Sequence, residues 1–385
     1  MTVLNYYVDG NFNPVPIIFS NKKKINNHYL KRRNLLERHL NFNLSLLKNK
    51  EILEFGPNGG ENACLLAEYG CKIYIVEPNI KLHKLIKKNF QIIKKNKSLK
   101  LLSKKKVEDF KIKKKFDIVV AEGFINTLEN RNFYVKKISK FVKPGGYLIL
   151  NYDDVYGGFF EYLKSFLLLR LCFKKKINPK SKKGYELAIK LFKNQFNKLN
   201  KSRNFYSWWR DQLINPYASK VWSMRELINL ANSLKLICFS NSPVFSNLNH
   251  YNWYKNISER DFYYKHWNKK ILDEWKNNYF NFFLGKNIKS KTVIDKKLLS
   301  LIEVNTKKMN KMLLNNELDI KTKFPETFYK FLKYNNRTKL AQELKELLKL
   351  LNINKNNSDD IVKYYINSSI DNMWGNLLHY IVFKK

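Results

Sequence analysis

The stretch EILEFGPNGGENA, Glu51 to Ala63, decides the fold. It is a short apolar run, then a glycine-rich loop, then small and polar residues that open a helix. That order suits a nucleotide-type ligand resting its polar part on a helix N-terminus. For a dinucleotide the loop must read G-x-G-x-x-G, so that the backbone can approach a pyrophosphate. Counted from Gly56, the second and third glycine positions are Asn58 and Glu61. A carboxylate at the helix start faces a doubly anionic group across a few ångströms, and Glu54, just before the loop, adds to the repulsion. A cationic ligand reverses the sign. Asn58 is tolerable there, because asparagine is the residue after glycine most able to adopt a left-handed backbone.

Outward from the loop, apolar strands alternate with helices. "CKIYIVE" is a strand, "NIKLHKLIKKNFQIIKKN" a helix, "LKLLS" a third strand and "FDIVVAE" a fourth. "NFYVKKISKFV" is helical, and "KPGGYLILN" is a turn leading into a fifth strand. Alternating elements with nearly all-apolar strands imply a parallel sheet covered on both faces. Past Asn151 the alternation gives way to a helical, aromatic insertion over about residues 156–222, with "SWWRDQLINP" near its end. "SMRELINLANSLKLICFS" restores a helix and a strand, and the short apolar tail "GNLLHYIVFKK" reads as a closing strand that returns to the sheet.

The expected architecture is therefore α/β and Rossmann-like. It has a mostly parallel seven-stranded sheet with helices on both faces, a helical insertion and a helical C-terminal region. A helical cap over residues 1–50, carrying the amphipathic helix "HYLKRRNLLERHLNFNLSLL", precedes a core at 51–255, and a mainly helical extension fills 256–385.

S-adenosylmethionine carries a sulfonium and an ammonium with only one carboxylate, so acids around the loop favour it. The residues here resemble motif I of the class I S-adenosylmethionine-dependent methyltransferases. Glu54, Gly56 and Gly60 match that motif, and Asn58 departs from it. The resemblance implies that Glu77, which ends "IYIVE", holds the ribose hydroxyls, with Pro57 and Pro78 lining the cofactor. "FDIVVAEG" resembles the fourth-strand motif beside the transferred methyl and brings Glu122 to the cofactor. "VKPGGYLIL" resembles the family's turn and fifth strand. The acid the family often places after the third strand is replaced by Lys104–Lys106, which leaves Val107 and Glu108 as the adenine contacts.

Methyl transfer is an in-line displacement, in which alignment, water exclusion and removal of a proton from a hydroxyl acceptor are the protein's share. Catalytic groups then belong at the carboxyl ends of the fourth and fifth strands. Asp154 leads as general base or acceptor-binding group, with Glu122 and Tyr152 beside it; the competing role for Asp154 is a helix cap. Asp153, Trp209 and Arg210 are the substrate-binding candidates, the alternative for Arg210 being a pair with Asp211. No metal is assigned.

The chain of 385 residues is 44% hydrophobic and 15% aromatic, which is globular composition. Its formal charge of +41 has two readings. One is a polyanionic partner; the other is a compositional bias, since Lys, Asn, Ile, Phe and Tyr abound throughout. Four cysteines without a C-x-x-C pair fit a reducing, cytoplasmic location. "GFFEYLKSFLLLRLCF" is too short and too charged to span a membrane, which leaves peripheral contact open. The leading function is methyl transfer to a small-molecule or glycan acceptor, at oxygen. The alternatives are an RNA methyltransferase and a non-catalytic protein that binds S-adenosylmethionine or nucleic acid.

Overall fold

The computed structural model describes residues 5–7, 19, 21–199, 203–215, 221–244, 267–285, 302–310, 326–352 and 357–385. The chain forms two compact units. The first comprises Met1–Tyr152, Trp222–Trp275 and Leu378–Lys385, and the second Asp153–Val221 and Lys276–Leu377.

The sheet consists of β1 (Glu51–Phe55), β2 (Lys72–Val76), β3 (Leu99–Ser103), β4 (Phe116–Ala121), β5 (Val142–Asp153), β6 (Ile237–Ser242) and β7 (Leu378–Lys384). Their order across the sheet is β3-β2-β1-β4-β5-β7-β6. β1 pairs in parallel with both β2 and β4, β2 with β3, and β4 with β5, while β6 and β7 are antiparallel. The closing strand thus lies inside the sheet, between β5 and β6. The strand order reverses at β1 and β4, and ligands of open α/β sheets bind at the carboxyl ends beside such a reversal.

Both faces of the sheet are covered. Helices α1 (Lys22–Arg33), α2 (Glu61–Glu68) and α3 (Ile80–Ile92) contribute Tyr29, Leu65, Ile86 and Phe90 to one apolar cluster with Ile52, Ile73, Ile75, Ile118 and Val120. On β1 the next residues, Leu53 and Phe55, point the other way. Phe55 meets Phe110 and Phe141 with ring centroids 5.7 and 5.8 Å apart, on the side where α4 (Arg131–Ser139) contributes the buried Val135 and Ile138. Strand residues buried on two faces explain the unbroken apolar runs. At the amino ends of the strands Lys114 pairs with Glu51 at 2.6 Å and Lys143 with Asp117 at 3.2 Å. That polar network leaves the opposite, carboxyl ends for a site.

The N-terminal helix departs from the expected span of residues 28–47. It starts at Lys22, capped by the Asn21 side chain, which accepts the Lys24 N–H at 3.0 Å. It widens into a π-turn over Asn34–His39 and then stops, because Asn41 adopts φ 58°. A separate 3-10 turn, Leu44–Leu47, is capped by Asn43. Asparagines supply both the left-handed residue and the caps that the leucine spacing conceals. Leu36, Leu40, Leu44 and Leu47 still enter the apolar cluster of the sheet.

The second unit opens with α5 (Phe159–Lys174), α6 (Lys182–Lys198) and α7 (Phe205–Trp208), the last running into a π-turn over Trp209–Leu213. α5 is buried from Phe159 to Cys172 on all sides, so it is a core helix with no amphipathic face for a bilayer. Its two buried cations bond inside: Lys164 donates to the Met373 carbonyl and Arg170 to the Leu351 carbonyl, the latter at 3.3 Å. The first unit resumes with α8 (Met224–Ser233) before β6, and α9 (Asn268–Asn277) follows. Helices α10 (Tyr279–Leu284), α11 (Glu326–Tyr334), α12 (Thr338–Asn352) and α13 (Ser358–Asn367) belong to the second unit. Among the described residues no helix is long and apolar enough to cross a membrane. The four cysteines are buried and form no disulfide.

Asn58 takes φ 53° in the glycine loop, the left-handed conformation its residue type permits. Asn58→Gly should leave the unfolding free energy of the ligand-free protein within about 0.5 kcal/mol, whereas Asn58→Val should lower it by about 1–2 kcal/mol. Denaturant titration checks this, and equal midpoints for the two variants would refute the conformational argument.

Candidate functional site

The loop between β1 and α2 is a chain of left-handed residues, with Gly56 at φ 64°, Asn58 at 53° and Gly60 at 76°. Gly60 caps α2 and donates its N–H to the Pro57 carbonyl at 2.9 Å. Asn89 of α3 donates to the Gly59 carbonyl at 2.9 Å, which ties the loop to the neighbouring helix. A β-carbon at Gly56 would stand 3.0 Å from the Phe124 ring. The glycine is needed for both its φ and its clearance.

Glu77 follows β2 and is 4% exposed. One carboxylate oxygen accepts the Asn58 N–H at 3.2 Å and the other accepts the Asn79 N–H at 2.8 Å. Its own carbonyl is 2.7 Å from His83 Nε2. The acid at the end of β2 therefore pins the tip of the glycine loop, which brings Asn58 and Glu77 together. Burial pushes the Glu77 carboxyl up to about 7, against the pull of those two N–H donors.

Glu54 is 3% exposed, and its Oε2 has no hydrogen-bond partner among the described residues. Burial first, then the nearby Glu122, with Glu61 and Glu77 adding, raises its carboxyl to about 8 against the opposing charge of Arg32. Glu61, 6% exposed, starts α2 in the same region. Four carboxyl groups thus surround the loop with one buried arginine among them. A pyrophosphate does not fit this charge distribution. A ligand carrying positive charge does, and S-adenosylmethionine meets that condition.

At the end of β4, Glu122 forms a two-pronged ion pair with Arg32 of α1, Nη1 to Oε2 at 2.9 Å and Nη2 to Oε1. Tyr380 of β7 and Asn62 of α2 also donate to its Oε2, at 3.4 and 3.5 Å. His28, one turn before Arg32, contacts Asn62 Oδ1 at 3.1 Å. Burial, with help from the positive charges of Arg32 and Lys31, holds its imidazole down at about 4. At the end of β5, Asn151 accepts the Gly123 N–H at 2.7 Å, and the Tyr152 hydroxyl lies 3.2 Å from His379 Nδ1, both rings fully buried.

Other candidates have mainly structural surroundings. Asp154 Oδ1 accepts the N–H groups of Tyr156 and Gly157, each at 2.9 Å, and so holds the turn that precedes α5. Asp153 is buried, and burial, with Glu161 next, raises its carboxyl to about 8. Asp211 pairs with Arg203 at 2.7 Å, and its neighbour Arg210 lies over the Tyr206 ring at 5.9 Å. Trp209 packs on Tyr185 with centroids 4.8 Å apart. Asp153, Asp154, Trp209 and Arg210 all belong to the second unit. Val107 is half-buried, whereas Glu108 is exposed beside Tyr134 of α4.

Sequence reasoning missed Arg32, Asn62, His379 and Tyr380. Arg32 did leave a trace: Ile25, Tyr29, Arg32 and Leu36 recur at helical spacing and are all buried, so a cation interrupts an apolar stripe. For His379 and Tyr380 no local signal exists, because the partners of a closing strand lie hundreds of residues away.

The raised carboxyl of Glu54 has a definite pH signature. Its neutral form is the one the fold prefers, so this stability is complete below the ordinary carboxyl range and is lost as pH rises through about 8. Glu54→Gln should therefore keep stability that the ligand-free protein loses between roughly pH 5 and pH 8.5, on the order of a few kcal/mol. Denaturant midpoints at the two pH values measure it, and parallel profiles for the two proteins would count against a buried, strained carboxylate.

A methyltransferase-domain family profile matches residues 27–212, which takes in the glycine loop and β1 to β5. No curated protein sequence matches the chain significantly. Among solved structures, a putative S-adenosyl-L-methionine-dependent methyltransferase from Methanococcus maripaludis is 16% identical with a TM-score of 0.29, over 34% of this chain and 58% of that one. PKMT2 from Rickettsia typhi, in complex with AdoHcy, is 18% identical with a TM-score of 0.38, over 55% of this chain and 43% of that one. The glycopeptide N-methyltransferase MtfA, complexed with sinefungin, is 17% identical with a TM-score of 0.27, over 33% and 50%. The chain thus covers less than two thirds of the length of each of these structures. Residues 27–212 thus match a methyltransferase domain, and the glycine loop and the acid after β2 lie within it.

Proposed function

We propose that the protein transfers the methyl group of S-adenosylmethionine to a hydroxyl oxygen of a small molecule or glycan. The observation that carries this reading is Glu54, a buried carboxylate with Oε2 unpartnered among the described residues, directly beside the glycine loop. A buried ionised group without a counter-charge is costly, and a cationic ligand removes the cost.

Glu77 spends one acceptor site of each oxygen on a backbone N–H. A carboxylate has about four such sites, so two are left for a pair of ribose hydroxyls. The amides of Gly56 to Gly60 suit the ligand's single carboxylate, with Pro57 and Pro78 at the edges and Val107 and Glu108 on the adenine side. The bound cofactor supplies a methyl carbon already activated by its sulfonium. The chain's own residues have to align the acceptor, exclude water and handle one proton. Tyr152 and Asp154 are 0% exposed, whereas the Glu122 side chain keeps 11%. A group that touches the acceptor must be reachable, so Glu122 is assigned to receive the acceptor hydroxyl. Arg32 positions Glu122 through the ion pair. Tyr152 and Asp154 then support the ends of β5.

Lysines stud α1, α3, α6 and α12 alike, which favours the compositional reading of the charge over a dedicated RNA track.

Calorimetry should find micromolar affinity for S-adenosylhomocysteine, roughly −8 kcal/mol, and none for NAD. Glu77→Ala should weaken that binding at least about tenfold and, by freeing the Asn58 and Asn79 N–H groups, lower the midpoint of the ligand-free protein only modestly. Preference for NAD would overturn the reading, and a collapsed midpoint would make Glu77 structural. For the acceptor, filter binding of a random RNA should be weak and vanish as salt rises through about 50–300 mM. Submicromolar binding at the upper end would replace the glycan acceptor by RNA, because only fixed cation contacts with stacked bases survive there.

A further inference from the structure

The second unit has an open cleft of about 520 Å³ between α6 and the start of α7. That volume is in the range that holds a small ligand. Tyr185, Lys193 and Asn197 lie at multiples of four residues along α6, on one face of the helix. Arg203, Asn204 and Tyr206 complete the lining.

Three properties of this lining narrow the ligand. It has an aromatic wall: Tyr185 and Tyr206 meet edge to face at 5.3 Å and 82°, and Trp209 backs Tyr185 at 4.8 Å. Tyr206 is 45% exposed, so ring surface is available. Among the described residues, its lining has two cations and no carboxylate. Lys193 has no ion pair among the described residues, and Arg203 is oriented by its Nη1 contact to Asp211 Oδ2 at 2.7 Å. It also has amides: Asn204 uses Oδ1 to accept the Ser207 N–H at 2.8 Å, which leaves its NH2 as a donor.

We infer that this cleft binds a phosphorylated sugar, with the pyranose lying on Tyr185 and Tyr206, its hydroxyls on Asn197 and Asn204, and its phosphate between Lys193 and Arg203. A bare anion has no use for the aromatic wall, and a neutral sugar has none for the cations. A nucleic-acid strand needs a longer track of positive charge than two side chains. The cleft is a ligand site of the second unit in its own right, and the inference goes beyond the methyl-transfer reading without resting on it.

The test is calorimetry with glucose 1-phosphate, inorganic phosphate and methyl glucoside, run beside S-adenosylhomocysteine on the full chain. Glucose 1-phosphate should bind at least about tenfold more tightly than either fragment, because wall and cations act together. Tyr206→Ala and Lys193→Ala, both at exposed positions, should each weaken it about fivefold or more and leave S-adenosylhomocysteine binding unchanged. Equal binding of inorganic phosphate overturns the inference, as does wild-type affinity in both variants. Absence of glucose 1-phosphate binding with intact S-adenosylhomocysteine binding overturns it too, while sparing the methyl-transfer reading. Binding of the sugar phosphate without S-adenosylhomocysteine binding has the reverse meaning: the cleft stands and methyl transfer falls.

Discussion

Glu54 is held where its charge is least welcome. β1 lies between β2 and β4, and the register sets Glu54 opposite Ile75 on one side and Val120 on the other. Backbone pairing on both edges leaves no slack for the side chain to reach water. Glu61, Glu77 and Glu122 raise the cost further, and the cation that offsets it, Arg32, has both guanidinium nitrogens of its fork committed to Glu122. Around Glu54, therefore, the deficit of positive charge is built into the sheet register. Ligand sign follows from that deficit, and the glycine loop contributes shape and N–H donors. This is why the asparagine that breaks a dinucleotide pattern does no harm: its left-handed backbone serves the turn, and its N–H locks Glu77 in place.

What could be read from the sequence was whatever depended on neighbours a few residues away. Strands β1 to β5, the loop and Glu77 are local patterns, and they appear in the structure where periodicity and turn residues put them. The closing strand was legible too, since "HYIVF" is β-prone wherever it docks. Its position between β5 and β6 was not, and with it went the meaning of His379 and Tyr380. The end of the N-terminal helix failed for another reason. Leucine spacing continues past His39, but Asn41 and Asn43 offer the backbone a better alternative than another helical turn.

The case of Asp154 shows how a close packing contact redirects a functional assignment. In the motif "DDVYGGFF" an acid at the end of β5 looks free to work on an acceptor. Gly157, however, stands so close to the Asn376 backbone that a β-carbon there would collide with its carbonyl, and Gly375 in turn abuts Gly157. Two chain segments cross with no side chain between them, and the turn holding them needs its N–H groups satisfied in place. Asp154 meets that need with a single oxygen, while its own N–H goes to the Leu377 carbonyl at 2.8 Å. The glycines and the aspartate are one device for a tight crossing. A substitution at Asp154 would therefore lower activity by loosening this crossing whether or not the carboxylate touches the acceptor. Glu122 carries a burden of another kind: its partners are side chains, Arg32, Asn62 and Tyr380, and removing its carboxylate would strand the buried Arg32 guanidinium. Each acid is thus part of the packing around it, Asp154 through backbone N–H groups and Glu122 through a buried guanidinium.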